Sequence, residues 1–362
     1  MAGKASVILI FLVIVVALAG CSGSVKLTPT APSEIGVIRD ILSDIPSGQN
    51  LSLIAFSRAY EIDPFYFQRD IFVMFPDGSK EFSIIKDPAD DDYAAFSPNG
   101  RSISFVSNRS SSWYANHDVF KYSPWGGVKQ LTDTAWEWDS SVTDWGPGYI
   151  LAAQLNTVIG APFDVVRIHA MDPWGAWHKF LDTGYVASYD PCVNSAGTML
   201  VFCARPSGPG YFGSMELYLW RKGDAAPYQL TYFEHDPATP VYTRHPAFGT
   251  GVAENCIVFQ TTYWDGQWDL GYLPLNDPGN PHPEFKEPWV VEGSESTADD
   301  LEPCIDPTGL WIAFSTNRDG NFEIYKTWNY YNPLDMMPPV PDTIRLTKTT
   351  EDEHNPDWSP YY

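Results

Sequence analysis

The chain repeats one sequence pattern about every fifty residues, and this repeat limits the folds that it can adopt. The stretch FSPNGRSISFVSNR (residues 96–109) returns without gaps as IDPTGLWIAFSTNR (residues 305–318). Each copy has an aromatic or apolar anchor residue, followed in most copies by a turn that contains glycine or proline. The six anchors are 48 to 57 residues apart: Phe96, Trp145, Val193, Phe248, Ile305 and Trp358. A period of this length predicts a series of similar supersecondary units.

Each repeat contains enough short apolar runs for four β-strands. The turn after the anchor leads into a run such as Ile103–Val106, an acidic residue opens the next apolar strand, and a Leu-Thr pair closes the unit. All six units carry the acidic residue: Asp70, Asp118, Asp164, Glu216, Asp269 and Glu323. Because this residue type recurs everywhere, we interpret it as architectural. Four strands in about fifty residues is the size of a propeller blade.

The two ends of the chain predict how such a propeller closes. The first unit begins at its second strand, near Leu51, and has no anchor of its own, whereas the last anchor lies four residues before the C-terminus. The C-terminal strand can therefore supply the missing first strand of the N-terminal blade, which removes free sheet edges. The predicted fold is all-β, a six-bladed β-propeller over residues 51–362 closed by this pairing.

Residues 1–20 have the features of an export signal. Lys4 provides the positive region, and residues 7–19 are uninterrupted apolar or small residues, a run too short for a membrane span. The run ends in LAGC (residues 18–21), which resembles the bacterial lipoprotein signal, and the resemblance implies lipidation of Cys21. We therefore expect residues 21–50 to be a lipidated cysteine and a tether. The expected location is the bacterial cell envelope, lipid-anchored, in the outer membrane or facing the periplasm.

Charge and cysteine content restrict the partners and the redox chemistry. The net charge of −23 would repel a phosphate backbone, and no basic stripe offers an exception, so nucleic acid is excluded as a partner. The acidity either serves solubility or attracts cations and basic partners. Four cysteines follow the tether: Cys192, Cys203, Cys256 and Cys304. In an exported chain they could form disulfides in three possible pairings, but we expect buried free thiols, because a chain of this size does not need disulfides for a core.

The repeats resemble those of TolB-type β-propellers. The resemblance rests on FSPNG, FVSNR, FSTNRDGNFEIY and the closing Leu-Thr pairs, and it covers about residues 50–362. It is strongest at residues 91–132 and 299–362 and weaker at 139–183 and 236–291. It implies a six-bladed propeller in the bacterial envelope. We do not expect TolB itself, because residues 21–50 leave no room for the separate N-terminal domain of that protein.

Functional residues of a repeat protein are expected where equivalent positions differ between repeats. The position three residues before the anchor differs in every unit: Tyr93, Val142, Asp190, His245, Glu302 and Asn355. The position one residue before the anchor varies as well: Ala95, Asp144, Cys192, Ala247, Cys304 and Asp357. If both positions belong to the innermost strand, their side chains converge on the central channel. We predict that Tyr93, Asp190, His245, Glu302 and Asn355 bind a ligand or partner at the channel mouth.

Three interpretations of this predicted mouth stay open. Asp190, His245 and Glu302 could hold a divalent metal ion, because His and carboxylates suit several metals. The channel could also be hydrated and polar with no ligand at all, or it could receive a peptide of a partner protein.

Four tryptophans are candidates for stacking on sugar rings or for a protein interface. Trp125 in SPWGG and Trp174 in DPWGA are predicted to lie on equivalent outer turns. Trp264 and Trp268 in YWDGQWD are expected nearby in a later blade. Such residues can stack on a glycan or anchor a partner, although packing against their own hairpin is the simpler alternative.

The sequence favours a binding function. The chain has no G-x-S-x-G elbow, no H-E-x-x-H motif and no phosphate-binding glycine loop. We therefore predict a non-catalytic envelope lipoprotein that binds or scaffolds one or more envelope proteins, with the membrane contacted through Cys21. The alternative is a metal-dependent polysaccharide lyase, or a receptor for an oligosaccharide, that uses the channel mouth.

Overall fold

The structure is a computed structural model, and its described residues lie in one compact unit within residues 41–362. It describes residues 52–63, 66–110, 117–133, 137–156, 165–185, 187–205, 214–233, 240–275, 288–294, 297–329 and 343–360. The predicted signal peptide, Cys21 and the tether lie outside these residues. No helix in the described part of the chain is long and apolar enough to cross a membrane.

Within these residues, 24 strands form six four-stranded antiparallel sheets, which are the blades of a β-propeller. Ordered from the inner to the outer strand, blade 1 contains β24 (Asp352–Trp358), β1 (Ile54–Asp63), β2 (Tyr66–Met74) and β3 (Phe82–Ile85). Blade 2 contains β4 (Asp91–Phe96), β5 (Ile103–Ser107), β6 (Asp118–Ser123) and β7 (Gly127–Gln130). Blade 3 contains β8 (Glu137–Gly146), β9 (Tyr149–Asn156), β10 (Val165–Met171) and β11 (His178–Leu181).

The other three blades follow the same order. Blade 4 contains β12 (Ser188–Val193), β13 (Met199–Ala204), β14 (Glu216–Arg221) and β15 (Tyr228–Gln229). Blade 5 contains β16 (Thr243–Phe248), β17 (Cys256–Thr261), β18 (Asp269–Pro274) and β19 (Trp289–Val290), with a 3-10 turn at Gly251–Ala253. Blade 6 contains β20 (Asp300–Ile305), β21 (Trp311–Thr316), β22 (Glu323–Trp328) and β23 (Thr343–Arg345). The predicted six-bladed all-β fold is confirmed.

The predicted closure is confirmed as well. The C-terminal strand β24 pairs with β1 in an antiparallel register that runs from Ile54 opposite Trp358 to Ala59 opposite Asp352. Side chains reinforce the seam, because Trp358 Nε1 donates to Ser52 Oγ at 2.8 Å and the Leu53 amide donates to Ser359 Oγ at 2.7 Å. The two ends of the chain therefore complete one blade.

The acidic residue and the Leu-Thr pair of the repeat bind each other. In blade 4, the Thr231 hydroxyl donates to Glu216 at 2.6 Å and accepts the Leu217 amide at 2.9 Å. In blade 2, Thr132 makes the same two contacts with Asp118 and the Val119 amide, at 3.3 and 2.8 Å. One threonine thus satisfies both a buried carboxylate and the amide of the next residue, which confirms the architectural interpretation for these two blades.

The repeated Asn-Arg pair also has a structural role. Arg109 binds Asp91 at the start of β4 with an N–O distance of 2.7 Å, and Arg318 binds Asp300 at the start of β20 at 3.0 Å. Each arginine comes from the end of the adjacent strand and crosses to a fully buried carboxylate. The similarity of the two quoted stretches is therefore explained by a shared ion pair.

The hydrophobic core lies between consecutive blades. Five apolar clusters each combine side chains from two neighbouring blades, joining blades 2 and 3, 3 and 4, 4 and 5, 5 and 6, and 6 and 1. The four cysteines of the described region are buried free thiols, as predicted. The blades are thus held by face-to-face packing, and the inner strands are left to line the channel.

Candidate functional site

Five inner strands carry the same β-bulge. In blades 1, 2, 4, 5 and 6, two inner-strand residues lie opposite a single residue of the second strand. The first of the two has a positive φ, between +47° and +57°, in a region that non-glycine residues rarely adopt. These bulge residues, which we call the bulge ring, are Tyr93, Asp190, His245, Glu302 and Asn355. They are the five channel residues predicted from sequence.

The sequence around each bulge fits its geometry. The single residue opposite the bulge is a fully buried phenylalanine in every case: Phe56, Phe105, Phe202, Phe259 and Phe314. The second bulge residue is proline in four of the five blades, at Pro191, Pro246, Pro303 and Pro356. A bulged residue is left out of the ladder, so the missing N–H of proline removes no strand hydrogen bond.

Side chains of the preceding blade accept the amides of three bulge-ring residues and thereby link the blades. Asp190 of blade 4 accepts the His245 amide of blade 5 at 3.1 Å. Glu302 of blade 6 accepts the Asn355 amide of blade 1 at 2.7 Å, and Asn355 Nδ2 in turn donates to Asp92 of blade 2 at 2.9 Å. Gln260 connects blade 5 to blade 6 by accepting the Glu302 amide at 2.7 Å. These contacts run without a break from blade 4 through blades 5, 6 and 1 to blade 2.

A second set of contacts between blades involves the position before the anchor in blades 1, 3 and 4. Asp357 accepts the Phe96 amide of the next blade at 2.6 Å, and Asp144 accepts the Val193 amide at 2.6 Å. Cys192 Sγ accepts the Phe248 amide at 3.4 Å while its thiol donates to Asp144 at 3.2 Å. These acidic and thiol side chains therefore hold anchor amides of neighbouring blades.

The inner strands end at a cavity of about 480 Å³, which we call the front mouth. Four members of the bulge ring line it, namely Tyr93, His245, Glu302 and Asn355. The rings of Tyr93 and His245 are parallel within 1°, with centroids 6.0 Å apart. Of the described residues that line the cavity, none is Lys or Arg, whereas four are acidic: Asp144, Glu254, Glu302 and Asp357. The described lining of the front mouth therefore has acidic side chains and no basic ones.

The carboxyls of the front mouth differ in their protonation. Burial raises the pKa of Asp144 to about 6, and burial together with the Asp144 charge raises the pKa of Asp357 to about 7. Burial would also raise the pKa of Glu302, but His354, His245 and the Asn355 amide outweigh it and lower this pKa to about 2. Glu302 therefore keeps its negative charge in the cavity over the whole physiological range.

The structure does not assemble the predicted metal ligands. Asp190 is almost fully buried in an ion pair with the Arg244 guanidinium, and it does not line the cavity. Glu302 accepts the Ser315 hydroxyl at 2.9 Å in addition to the Asn355 amide. Within the described residues, no group of three His, Cys, Asp or Glu side chains is placed to bind a metal ion. The carboxylates that were predicted as ligands are thus engaged in contacts between and within blades.

The predicted tryptophans lie on two opposite faces. Trp125 and Trp174 occupy equivalent turns between the third and fourth strands of blades 2 and 3, on the same face as the front mouth, and they are 86% and 67% exposed. Trp264 and Trp268 lie in the loop between β17 and β18, at the opposite ends of the strands. The expectation that all four are close together was therefore wrong, because that loop connects strand ends that point away from the front mouth.

Sequence reasoning missed two features of the site. It missed Glu254, which follows the 3-10 turn on the rim, and it missed the bulges themselves. The proline that recurs after the bulge residue was a usable signal for the bulge. Blade 3 is an exception, because Val142 pairs with Ala152 and the register shifts occur on either side of it.

The fold is similar to known propellers in solved structures. TolB from Acinetobacter baumannii superposes with a TM-score of 0.63 at 12% identity, covering 89% of this chain and 70% of that one. The putative TolB from Agrobacterium tumefaciens gives a TM-score of 0.55 at 12% identity, with coverage of 87% and 99%. A chain of a nidogen–laminin complex gives 0.54 at 10% identity, with coverage of 85% and 98%.

Sequence comparison identifies no relative. No protein-family model matches the chain, and no curated protein matches it. At these identities the structural similarity concerns the fold alone. By fold, the chain is a six-bladed β-propeller similar to the propellers of the TolB structures.

Proposed function

We propose that this protein is a non-catalytic binding module that holds a positively charged segment of another envelope protein at its front mouth. The observation that carries the proposal is the cavity of about 480 Å³, lined by four acidic residues and, in its described part, by no Lys or Arg. A lysine, an arginine or an amino terminus of a partner would complement this charge. The net charge of −23 would steer such a partner toward the protein.

The geometry of the front mouth suits a peptide. Backbone turns and prolines form its rim, including Pro98, Pro147, Pro307 and Pro360. Tyr93 and His245 provide a parallel aromatic pair in its lining. Because the bulge ring is fixed by contacts between blades, the site is preorganised and loses little side-chain freedom on binding.

The proposed cellular setting is the bacterial envelope. The signal-like residues 1–20 and the LAGC sequence support export and lipidation at Cys21. Lipidation would attach the propeller to a membrane through residues 21–50, with the propeller at the outer membrane or facing the periplasm. In this setting the partner is an envelope protein.

Charge reversal on the rim tests the proposal. Glu254 is exposed at the front mouth, and Glu61 is equally exposed near the opposite ends of the strands. We would isolate tagged full-length protein from native membranes as wild type, Glu254→Lys and Glu61→Lys, and quantify the bound proteins by mass spectrometry. We expect one partner to be reduced about tenfold by Glu254→Lys and unchanged by Glu61→Lys. Equal recovery of all bound proteins from both variants would contradict the proposal.

A further inference from the structure

The two most exposed tryptophans of the described chain lie together on the front-face rim of blades 2 and 3. Trp125 is 86% exposed and Trp174 is 67% exposed, and the neighbouring Trp177 is 46% exposed. All three belong to the turns that join β6 to β7 and β10 to β11. A tryptophan exposed at a turn tip buries little surface within its own chain, so three of them together indicate a surface with an external contact.

The two turns form one continuous surface. Lys121 donates to the Pro173 carbonyl at 2.6 Å, and Lys129 donates to the Trp174 carbonyl at 2.7 Å, so two lysines of blade 2 hold the turn of blade 3. Gly175, at φ +69°, lies so close to blade 2 that an added Cβ would be 3.1 Å from the Leu131 carbonyl oxygen. We call this surface, formed by Trp125, Lys129, Trp174, Trp177 and Lys179, the tryptophan rim.

The tryptophan rim is locally basic on a strongly acidic protein. The front-face parts of the two strand pairs, residues 121–129 and 172–179, contain three lysines: Lys121, Lys129 and Lys179. The only acidic residue in these two segments is Asp172, which is buried and accepts the amides of Ala176 and Trp177 within its own turn. Asp133 and Asp182 follow the two segments at the strand ends away from the front face. The exposed charge of the rim is therefore positive, opposite to the net charge of −23.

We propose that the tryptophan rim binds the surface of an anionic phospholipid bilayer. Tryptophan favours the membrane–water interface, where its ring is apolar and its N–H remains hydrated. Lys129 lies two residues into β7 from the turn and Lys179 one residue into β11, so both are within roughly 7 Å of the turns along the strands. When the tryptophans enter the headgroup layer, the lysines are at the level of the phosphates.

The charge distribution gives this contact a defined orientation. Anionic lipid repels most of the protein surface and attracts the rim, so only one edge of the propeller approaches the bilayer. The two segments that form the rim have no exposed carboxylate to accept hydrogen bonds from sugar hydroxyls, which favours lipid over a glycan as the ligand. This contact does not depend on the charged segment proposed to occupy the front mouth.

Hydroxyl-radical footprinting of the full-length protein tests the contact residue by residue. The protein would be placed in detergent, on phosphatidylcholine vesicles, and on vesicles with 30% phosphatidylglycerol, and oxidation of each tryptophan would be measured by mass spectrometry. We expect oxidation of Trp125 and Trp174 to fall at least threefold on the anionic vesicles only. Trp264 and Trp289, which are exposed on blade 5, serve as internal controls and should not change.

Two outcomes with the wild-type protein would overturn the proposal. One is equal oxidation of Trp125 and Trp174 in all three conditions. The other is protection by an anionic polysaccharide such as polygalacturonate but not by anionic vesicles, which would assign the rim to a glycan. The variant Lys179→Glu, at an exposed position, should weaken the protection while its melting temperature is retained. Protection that is unchanged by this charge reversal would also contradict the proposal.

Discussion

Blade 3 and the other five blades line the same channel with different inner strands. The other five carry a left-handed bulge residue opposite a buried phenylalanine, whereas blade 3 has Ala152 at the phenylalanine position and pairs it with Val142. The linked contacts of the bulge ring run through the other five blades. Blade 3 contributes instead through Asp144, which accepts the Val193 amide of blade 4.

This difference shows two ways in which an inner strand is linked to the neighbouring blade. The bulge requires a large buried side chain opposite it and a residue that tolerates positive φ. It also turns a backbone amide toward the neighbouring blade. The position before the anchor links blades through its side chain, because Asp357 and Asp144 reach the next anchor amide directly. Blade 3 has its register shifts at other positions and is linked to blade 4 through Asp144.

The largest effect is expected from the phenylalanine that faces a bulge. Phe314→Ala should lower the free energy of unfolding by about 3–5 kcal/mol, because the side chain is fully buried between blades 5 and 6. Chemical denaturation would measure this loss, with Trp125→Ala, at the most exposed tryptophan, as a control of about 0.5 kcal/mol or less. A loss below about 1 kcal/mol for Phe314→Ala would show that the bulge does not depend on its phenylalanine.

A smaller effect is expected at the bulge residue itself. His245 has φ +47°, which a β-branched side chain adopts poorly and asparagine adopts more readily. His245→Val should therefore unfold with a free energy about 1–2 kcal/mol lower than His245→Asn. Both variants remove the imidazole, so their difference isolates the backbone. Equal stability of the two would mean that position 245 is not held in the left-handed region.

A third effect is expected in the pH dependence of the acidic links. The pKa values of Asp144 and Asp357, raised to about 6 and 7, are above those of the unfolded chain, so the folded state binds these protons more tightly. Stability from these two groups is present at low pH and is lost as pH rises from about 4 to about 7. The melting temperature should therefore decrease between pH 5 and pH 8.

Asparagine at position 357 separates this effect from other titrations. Asp357→Asn keeps an acceptor for the Phe96 amide but has no proton to lose, so the decrease between pH 5 and pH 8 should become shallower. Asp265→Asn, in an exposed loop, should leave the slope as in the wild type. Parallel slopes for wild type and Asp357→Asn would rule out a contribution from this carboxyl.

The sequence predicted the repeat, the six blades and the closure, because these depend on turn chemistry and on strand periodicity. It also selected the bulge ring, since Tyr93, Asp190, His245, Glu302 and Asn355 vary at a fixed distance from the anchors. The backbone conformation of these residues and their hydrogen-bond partners could not be predicted from the sequence. A strand pattern does not report the sign of φ, and contacts such as that of Asp190 with Arg244 depend on how neighbouring blades pack. Residue types alone suggested a metal site, because the sequence does not show that the carboxylates make contacts within and between blades.

Photo-crosslinking from the rim of the front mouth tests the central claim most directly. A photoreactive residue at the exposed rim position Ser195 would be activated in the native cell, with the exposed back-face position Gln267 as control. We predict one discrete protein adduct from position 195 alone, with the cross-linked segment of the partner containing Lys, Arg or a free amino terminus. No protein adduct from position 195, or an adduct at an acidic segment, would contradict the account.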